Sequence, residues 1–236
     1  NDPWTVRFEE KPDHVVLFII DGLPYTSWNK LKLPILKKMR DNGALIEQLY
    51  CPPAAHPQQG KYAELHSCSI PNPIMMAGTI FITEKTQYIP QVFFPEKVSA
   101  FSTNTVTFQS LNQSYHYSFQ KKGSDSEAVE MALAFMKIGK PAFARIHLED
   151  SGTVGEENML TMKNVSWRRN IWADDSPFRL TTEKADELLG VFIRGLQSLG
   201  ILEKTCLIVL GDHGQADTGW HPLEIDDSSI TTTVLW

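Results

Sequence analysis

Short apolar runs that each stop at an acid constrain this chain more than any other feature. Val15 to Ile20 runs into Asp21 and Gly22, and Thr205 to Leu210 runs through Gly211 into Asp212, His213 and Gly214, while a further strand-like segment, Ala142 to Leu148, ends in Glu149 and Asp150. Runs of this length, rich in Val, Ile and Leu, read as strands buried on both faces, the pattern of a parallel sheet. Such strands end on a common edge, and α/β enzymes place their chemistry outside that edge. Asp21, the Glu149/Asp150 pair, and Asp212 with His213 are therefore expected to converge.

Strand-like and helix-like runs alternate along the chain, which predicts a three-layer α/β/α sandwich with a mostly parallel central sheet. Leu31 to Arg40 reads as a helix despite Pro34, with Gly43 as its stop and a short strand at Ala44 to Leu49. Gln91 to Phe94 and Val98 to Gln109 read as β. Ser126 to Ile138 reads as a helix with Val129, Ala132, Leu133 and Met136 on one face. Ser176 and Pro177 open a second helix, whose apolar stripe runs from Ala185 through Leu188, Leu189, Phe192 and Leu196 to Gly200. Ile230 to Leu235 reads as a last strand. Residues 51–79, rich in Pro, Gly, Ser and His, read as an ordered active-site segment. Residues 154–175 lose periodicity and read as a surface excursion or small insertion within a single domain spanning 1–236.

Composition excludes several classes. With 42% hydrophobic and 21% charged residues, 236 residues are enough for one substantial core. A net charge of −6 without a Lys/Arg block argues against nucleic acid or an anionic membrane as a partner. The longest apolar run, Val15 to Ile20, falls far short of the roughly 20 residues of a membrane span. There is neither an initiator Met nor a signal peptide. Cys51, Cys68 and Cys206 lack zinc-finger spacing; Cys206 reads as a core thiol, and Cys51 and Cys68 can pair if the protein is exported. Asn112-Gln113-Ser114 and Asn164-Val165-Ser166 match the glycan acceptor pattern, which is common by chance and points to an extracytoplasmic location.

Mixed oxygen and nitrogen donors at the strand ends suit Zn²⁺, with Mn²⁺ as the alternative. A nucleophile is offered by residues 65–79, where Ser69 precedes Pro71, Asn72 and Pro73 and an apolar stretch able to start a helix. A hydroxyl at a helix N-terminus is well placed to attack phosphorus, because the free N–H groups favour an anion there. His56 and His66 flank this segment, while His14 opens a strand and His116 falls in a polar loop.

In Asp21-Gly22, Ser69-Ile70-Pro71-Asn72 and Asp212-His213-Gly214, taken in this order, the chain resembles the alkaline phosphatase superfamily. The likeness is strongest to its type I phosphodiesterase/nucleotide pyrophosphatase branch. The resemblance implies an alkaline phosphatase-like fold and a metal-dependent hydrolase of phosphate esters, with phosphodiesters as the preferred small-molecule substrates. It makes Asp21, Ser69, Asp212 and His213 the ligands of one ion, Ser69 the attacking group and Asn72 a donor to a phosphoryl oxygen. In that branch a second ion is held by an Asp-x-x-Gly-His segment and a more distal His. Here Glu149-Asp150-Ser151-Gly152-Thr153 keeps the acid and the Gly but has Thr153 where the His belongs. Glu149 fits the spacing and Asp150 the residue type, and Asp150 is carried into the ligand set together with His221; His147 is a further substitute. One or two divalent ions follow. The resemblance also implies that a complete enzyme continues beyond Trp236.

Three alternatives are narrower. A sulfatase nucleophile needs Arg where Pro73 stands, a nucleotide-binding module needs a Gly-rich loop after the first strand, and a noncatalytic relative would keep the fold while losing the second ion's His.

Overall fold

A computed structural model describes residues 11–51, 89–106, 115–160, 170–221 and 226–236. In chain order it contains β1 (His14–Ile20), α1 (Ser27–Lys30), α2 (Pro34–Asn42), β2 (Ala44–Tyr50), α3 (Ile89–Phe93), β3 (Ser99–Thr103) and β4 (Tyr117–Gln120). There follow α4 (Asp125–Ile138), β5 (Phe143–Leu148), α5 (Asp150–Leu160), α6 (Pro177–Ser198), β6 (Thr205–Leu210), α7 (Asp226–Ser229) and β7 (Ile230–Leu235). The strands form one sheet in the order β2-β7-β6-β1-β5-β3-β4. The pairs from β6 through β1, β5 and β3 to β4 are parallel, and β7 pairs antiparallel with both β6 and β2. This is the expected mostly parallel α/β arrangement, with β1 at its centre.

Strand alternation divides the sheet into two unlike faces. On one, Val16, Phe18 and Ile20 of β1, Ile146 and Leu148 of β5 and Leu207 and Val209 of β6 are buried in the main core. They pack under α2, α4 and α6 through residues such as Leu36, Val129, Met136, Leu189 and Phe192. The Phe18 and Phe192 rings lie 5.9 Å apart. Each helix has a local cause. Ser124 closes a capping box with Glu127 at the start of α4. Pro177 occupies the first turn of α6, where its missing N–H is harmless. Pro34 does the same for α2, whose next free N–H groups, on Ile35 and Leu36, donate to the Asp186 carboxylate of α6 at 3.0 and 2.8 Å.

The opposite face holds a smaller cluster of Phe101, Tyr115 and Phe143 and, toward the carboxyl edge, the polar groups of interest. The register places Leu17, Arg145 and Phe101 side by side, and then Ile19, His147 and Thr103. Continuing the alternation one step past the strands gives Asp21 beside Glu149 and Asp212.

The structure corrects three local expectations. Residues 89–93 are helical rather than β: Pro90 suits the first turn of a helix and the Phe94 N–H donates to Pro90 O at 3.2 Å, which turns Phe94 onto Phe143 at 5.4 Å between rings. The stretch beginning at Val154 without apolar periodicity starts inside α5, and Ile171 near its end is fully buried. β4 was not foreseen, although Tyr115, Tyr117 and Phe119 alternate with His116, Ser118 and Gln120; it pairs with β3, and Ser99 N–H donates to His116 Nδ1 at 3.2 Å. Of the β segment expected at 98–109, only Ser99–Thr103 is a strand, and 107–109 lie outside the described residues. Among the described residues no helix is long and apolar enough to cross a membrane.

Candidate metal centre

Asp21 stands one residue past β1, where its N–H still donates into the ladder, to Leu148 O at 2.9 Å. Its carbonyl accepts from Ser151 Oγ at 2.6 Å, so both sides of its backbone are fixed. The chain then turns through Gly22 at φ +65°, a conformation open to glycine, and a Cβ there would press on the Gln215 side chain. The Gly22 N–H donates to Asp212 Oδ1 at 3.0 Å, and so does the His213 N–H at 3.0 Å. Two backbone donors thus hold one oxygen of Asp212 and aim the other, Oδ2, at the centre.

His213 is oriented by its own loop. Its Nδ1 lies 2.7 Å from Gly214 O, and a carbonyl can only accept, so the proton sits on Nδ1 and Nε2 carries a lone pair. That nitrogen is 3.4 Å from Asp21 Oδ1 and 3.6 Å from Asp212 Oδ2. All three ligand atoms lie within 4.8 Å of one another, in buried surroundings. Among the described residues Asp21 Oδ1 accepts no hydrogen bond. Burial, and then the charges of Asp212, Glu149, Glu156 and Asp125, push the Asp21 carboxyl well above its usual range. These four charged neighbours are all acids, an arrangement that a divalent cation relieves.

A second grouping shares Asp21 and adds His147 and Glu149, again with ligand atoms within 4.8 Å. The Glu149 N–H donates to Asp125 Oδ1 at 3.0 Å and to Asn104 Oδ1 at 3.2 Å. Its Oε1 lies 3.2 Å from His147 Nε2. Asp150, expected in the ligand set, is turned elsewhere. Its carboxylate accepts from Asn104 Nδ2 at 2.6 Å and from the Asp125 N–H at 3.2 Å, at the start of α4. Neighbouring residues at a strand end point to opposite sides, so a choice between Glu149 and Asp150 is a choice of face. Asp125 reciprocates at the start of α5, and burial, with the Asp150 charge next, pushes its carboxyl up to about 7.

Thr153 is exposed on α5. Gly152 instead faces the centre, where a Cβ would overlap the Asp21 carboxylate. His221 lies next to His213, with 4.2 Å between ring centroids, and stacks on Trp220. Its Nε2 contacts Glu156 Oε1 at 3.1 Å. Glu156 was missed from sequence; its signal was the i, i+4 spacing from Gly152, legible only once α5 is known to be a helix. Cys51 was missed as well: its Sγ donates to Asp212 O at 2.8 Å. Cys206 is the buried strand thiol expected. Ser69, Asn72 and Cys68 lie outside the described residues, as do His56 and His66. The structure therefore brings together Asp21, Asp212 and His213, with Glu149 and His147 beside them and His221 against His213.

No protein-family model matches the sequence, and no curated protein matches it. Solved structures do. A lipoteichoic acid synthase, LtaP, from Listeria monocytogenes is 13% identical with a TM-score of 0.73, the match covering 95% of this chain and 65% of that one. A member of the alkaline phosphatase superfamily from Vibrio parahaemolyticus is 14% identical with a TM-score of 0.68, covering 96% and 60%. Murine ectonucleotide pyrophosphatase/phosphodiesterase 5, in an inactive form with AMP, is 17% identical with a TM-score of 0.61, covering 87% and 57%. The sheet, with its acid and histidine cluster at the carboxyl edge, defines a mostly parallel α/β protein. The chain has the fold of the alkaline phosphatase superfamily. It spans between 57% and 65% of the length of these three structures.

Proposed function

We propose that this chain is a metal-dependent hydrolase of phosphate esters, with phosphodiesters preferred, acting through Ser69 and a phosphoseryl intermediate. The observation that carries the reading is the convergence of Asp21 Oδ1, Asp212 Oδ2 and His213 Nε2 in a buried, acid-rich pocket. Two carboxylates and one imidazole suit Zn²⁺, with Mn²⁺ as the alternative. Asp21, Asp212 and His213, with the Ser69 hydroxyl, would hold the ion, which when bound neutralises phosphoryl charge and lowers the pKa of a coordinated hydroxyl. The chain's own groups do the rest. Gly22 and His213 N–H groups hold Asp212 in place, and Gly214 O keeps the proton off His213 Nε2. Ser69 Oγ forms a bond to phosphorus as the ester oxygen leaves, Asn72 donates to a phosphoryl oxygen, and water then displaces the serine. The superfamily fold supports this class of chemistry, and an extracytoplasmic location suits it.

A second reading, a noncatalytic relative that binds a ligand, is favoured by one observation: Thr153 is exposed where a His would serve a second ion, while His221 is engaged with Glu156. Measuring bound metal per chain and hydrolysis of an activated aryl phosphodiester with and without Zn²⁺ or Mn²⁺ separates the two. The hydrolase reading expects metal-dependent turnover that Ser69→Ala lowers by about a thousandfold or more. Undiminished turnover in Ser69→Ala would refute the nucleophile, and failure to take up metal at neutral pH would support the noncatalytic reading.

A further inference from the structure

β5 and the residue that follows it carry a line of ionisable side chains where a buried strand ordinarily has none. Arg145, His147 and Glu149 alternate, so all three project from one face of the sheet. Arg145 is 1% exposed and His147 0%. The Arg145 guanidinium lies over the Phe101 ring, 5.3 Å from its centre, and its Nη2 is 2.8 Å from His147 Nδ1. A guanidinium has five donors and no acceptor, so His147 Nδ1 must present its lone pair. A neutral imidazole has one N–H, which then sits on Nε2, 3.2 Å from Glu149 Oε1.

We propose that Arg145 is a positioning residue that locks His147 in the Nε2–H tautomer, so that a hydrogen rather than a lone pair faces Asp21 and Glu149 and His147 does not itself ligate metal. The position of His147 Nε2, within ligand distance of Asp21 and Glu149, would otherwise qualify it as a donor. The lock decides against that, because the nitrogen facing the centre bears a hydrogen. Glu149 is held through its backbone N–H by Asp125 and Asn104, and its Oε1 lies 3.2 Å from His147 Nε2 without hydrogen-bond geometry. The purpose of the lock rests on the metal-centre reading; the tautomer does not.

The test is long-range ¹H–¹⁵N correlation on the full, ¹⁵N-labelled chain, metal-free and after Zn²⁺ addition, with His147→Gln and His213→Gln assigning the two rings. His147 is expected to show a lone-pair-type Nδ1 and a protonated Nε2 in both states, and His213 the reverse, with its Nε2 shifting on Zn²⁺ addition. Arg145→Lys, which also only donates, should keep the pattern, and Arg145→Gln, whose amide can accept, should mix the tautomers. A protonated Nδ1 on His147 in the metal-free protein, or a metal-bound shift at its Nε2, would overturn the proposal. If no Zn²⁺ binds, the metal-centre reading fails while the metal-free spectrum still decides the tautomer. If the Arg145 variants do not fold, the wild-type spectra decide it alone.

Discussion

His213 and His147 approach the same Asp21 carboxylate from the two strands that flank β1, and their hydrogen bonds give them opposite characters. His213 follows β6, and its Nδ1 meets a carbonyl at 2.7 Å, which leaves a lone pair on the nitrogen facing the centre. His147 is within β5, and its Nδ1 meets a guanidinium at 2.8 Å, which leaves a hydrogen there. The surroundings reinforce the difference: burial, with Arg145 next, lowers the His147 pKa to about 3, so it is neutral throughout the working range. The lesson is that the group behind a histidine, more than its distance from an acid, decides whether it can ligate a metal.

Removing each imidazole tests this contrast most severely. His213→Gln should weaken Zn²⁺ binding by at least about 100-fold and His147→Gln by about 10-fold, the range for outer-shell groups, as read by competition with a chelating dye. Equal losses would break it. Next in size, Gly152→Ala should push on the Asp21 carboxylate shared by both groupings, lowering stability in urea by ~1–3 kcal/mol and weakening Zn²⁺ binding with it.

A pH series sharpens the comparison from the acid side. Asp125 is raised from 3.8 to about 7 in the folded protein, so between those values the native state holds a proton that the unfolded chain has released. Its contribution is fully present below 3.8, and the stability of the metal-free protein should fall as pH rises toward 7. The raised Asp21 carboxyl acts in the same direction. Denaturation between pH 4 and 8 should show this fall flattened in Asp125→Asn, and Zn²⁺ should offset it by taking the place of protons around Asp21. The smallest effect is expected at Asp150, whose carboxylate caps α4. Asp150→Ala should lower stability by about 1 kcal/mol, read by urea denaturation, and leave Zn²⁺ affinity unchanged, in contrast to Glu149→Gln.

Much of this was legible in the chain. The runs ending at Asp21 and at Asp212 and His213 are strands with their acids at one edge, because an uninterrupted apolar run can be satisfied only within a covered sheet. The stripe from Ala185 to Leu196 is the buried face of α6. Where local pattern failed, a tertiary partner had replaced it. Residues 89–93 look like β but close one helical turn against Phe143, and α5 carries little apolar periodicity because its inward face includes Gly152, pressed against Asp21.

The sequence by itself determined the α/β alternation and the nearness of Asp21, Asp212 and His213, since both follow from strand length, strand ends and a shared sheet edge. Only the tertiary structure set Glu149 beside His147 and Asp21 while turning Asp150 to the start of α4, set His221 against Glu156, and gave His147 and His213 different partners. Those outcomes depend on which face a side chain leaves from and which donor or acceptor waits behind it. The partners are residues such as Arg145, Asn104 and Asp125, whose positions relative to the centre are fixed by packing between strands and helices.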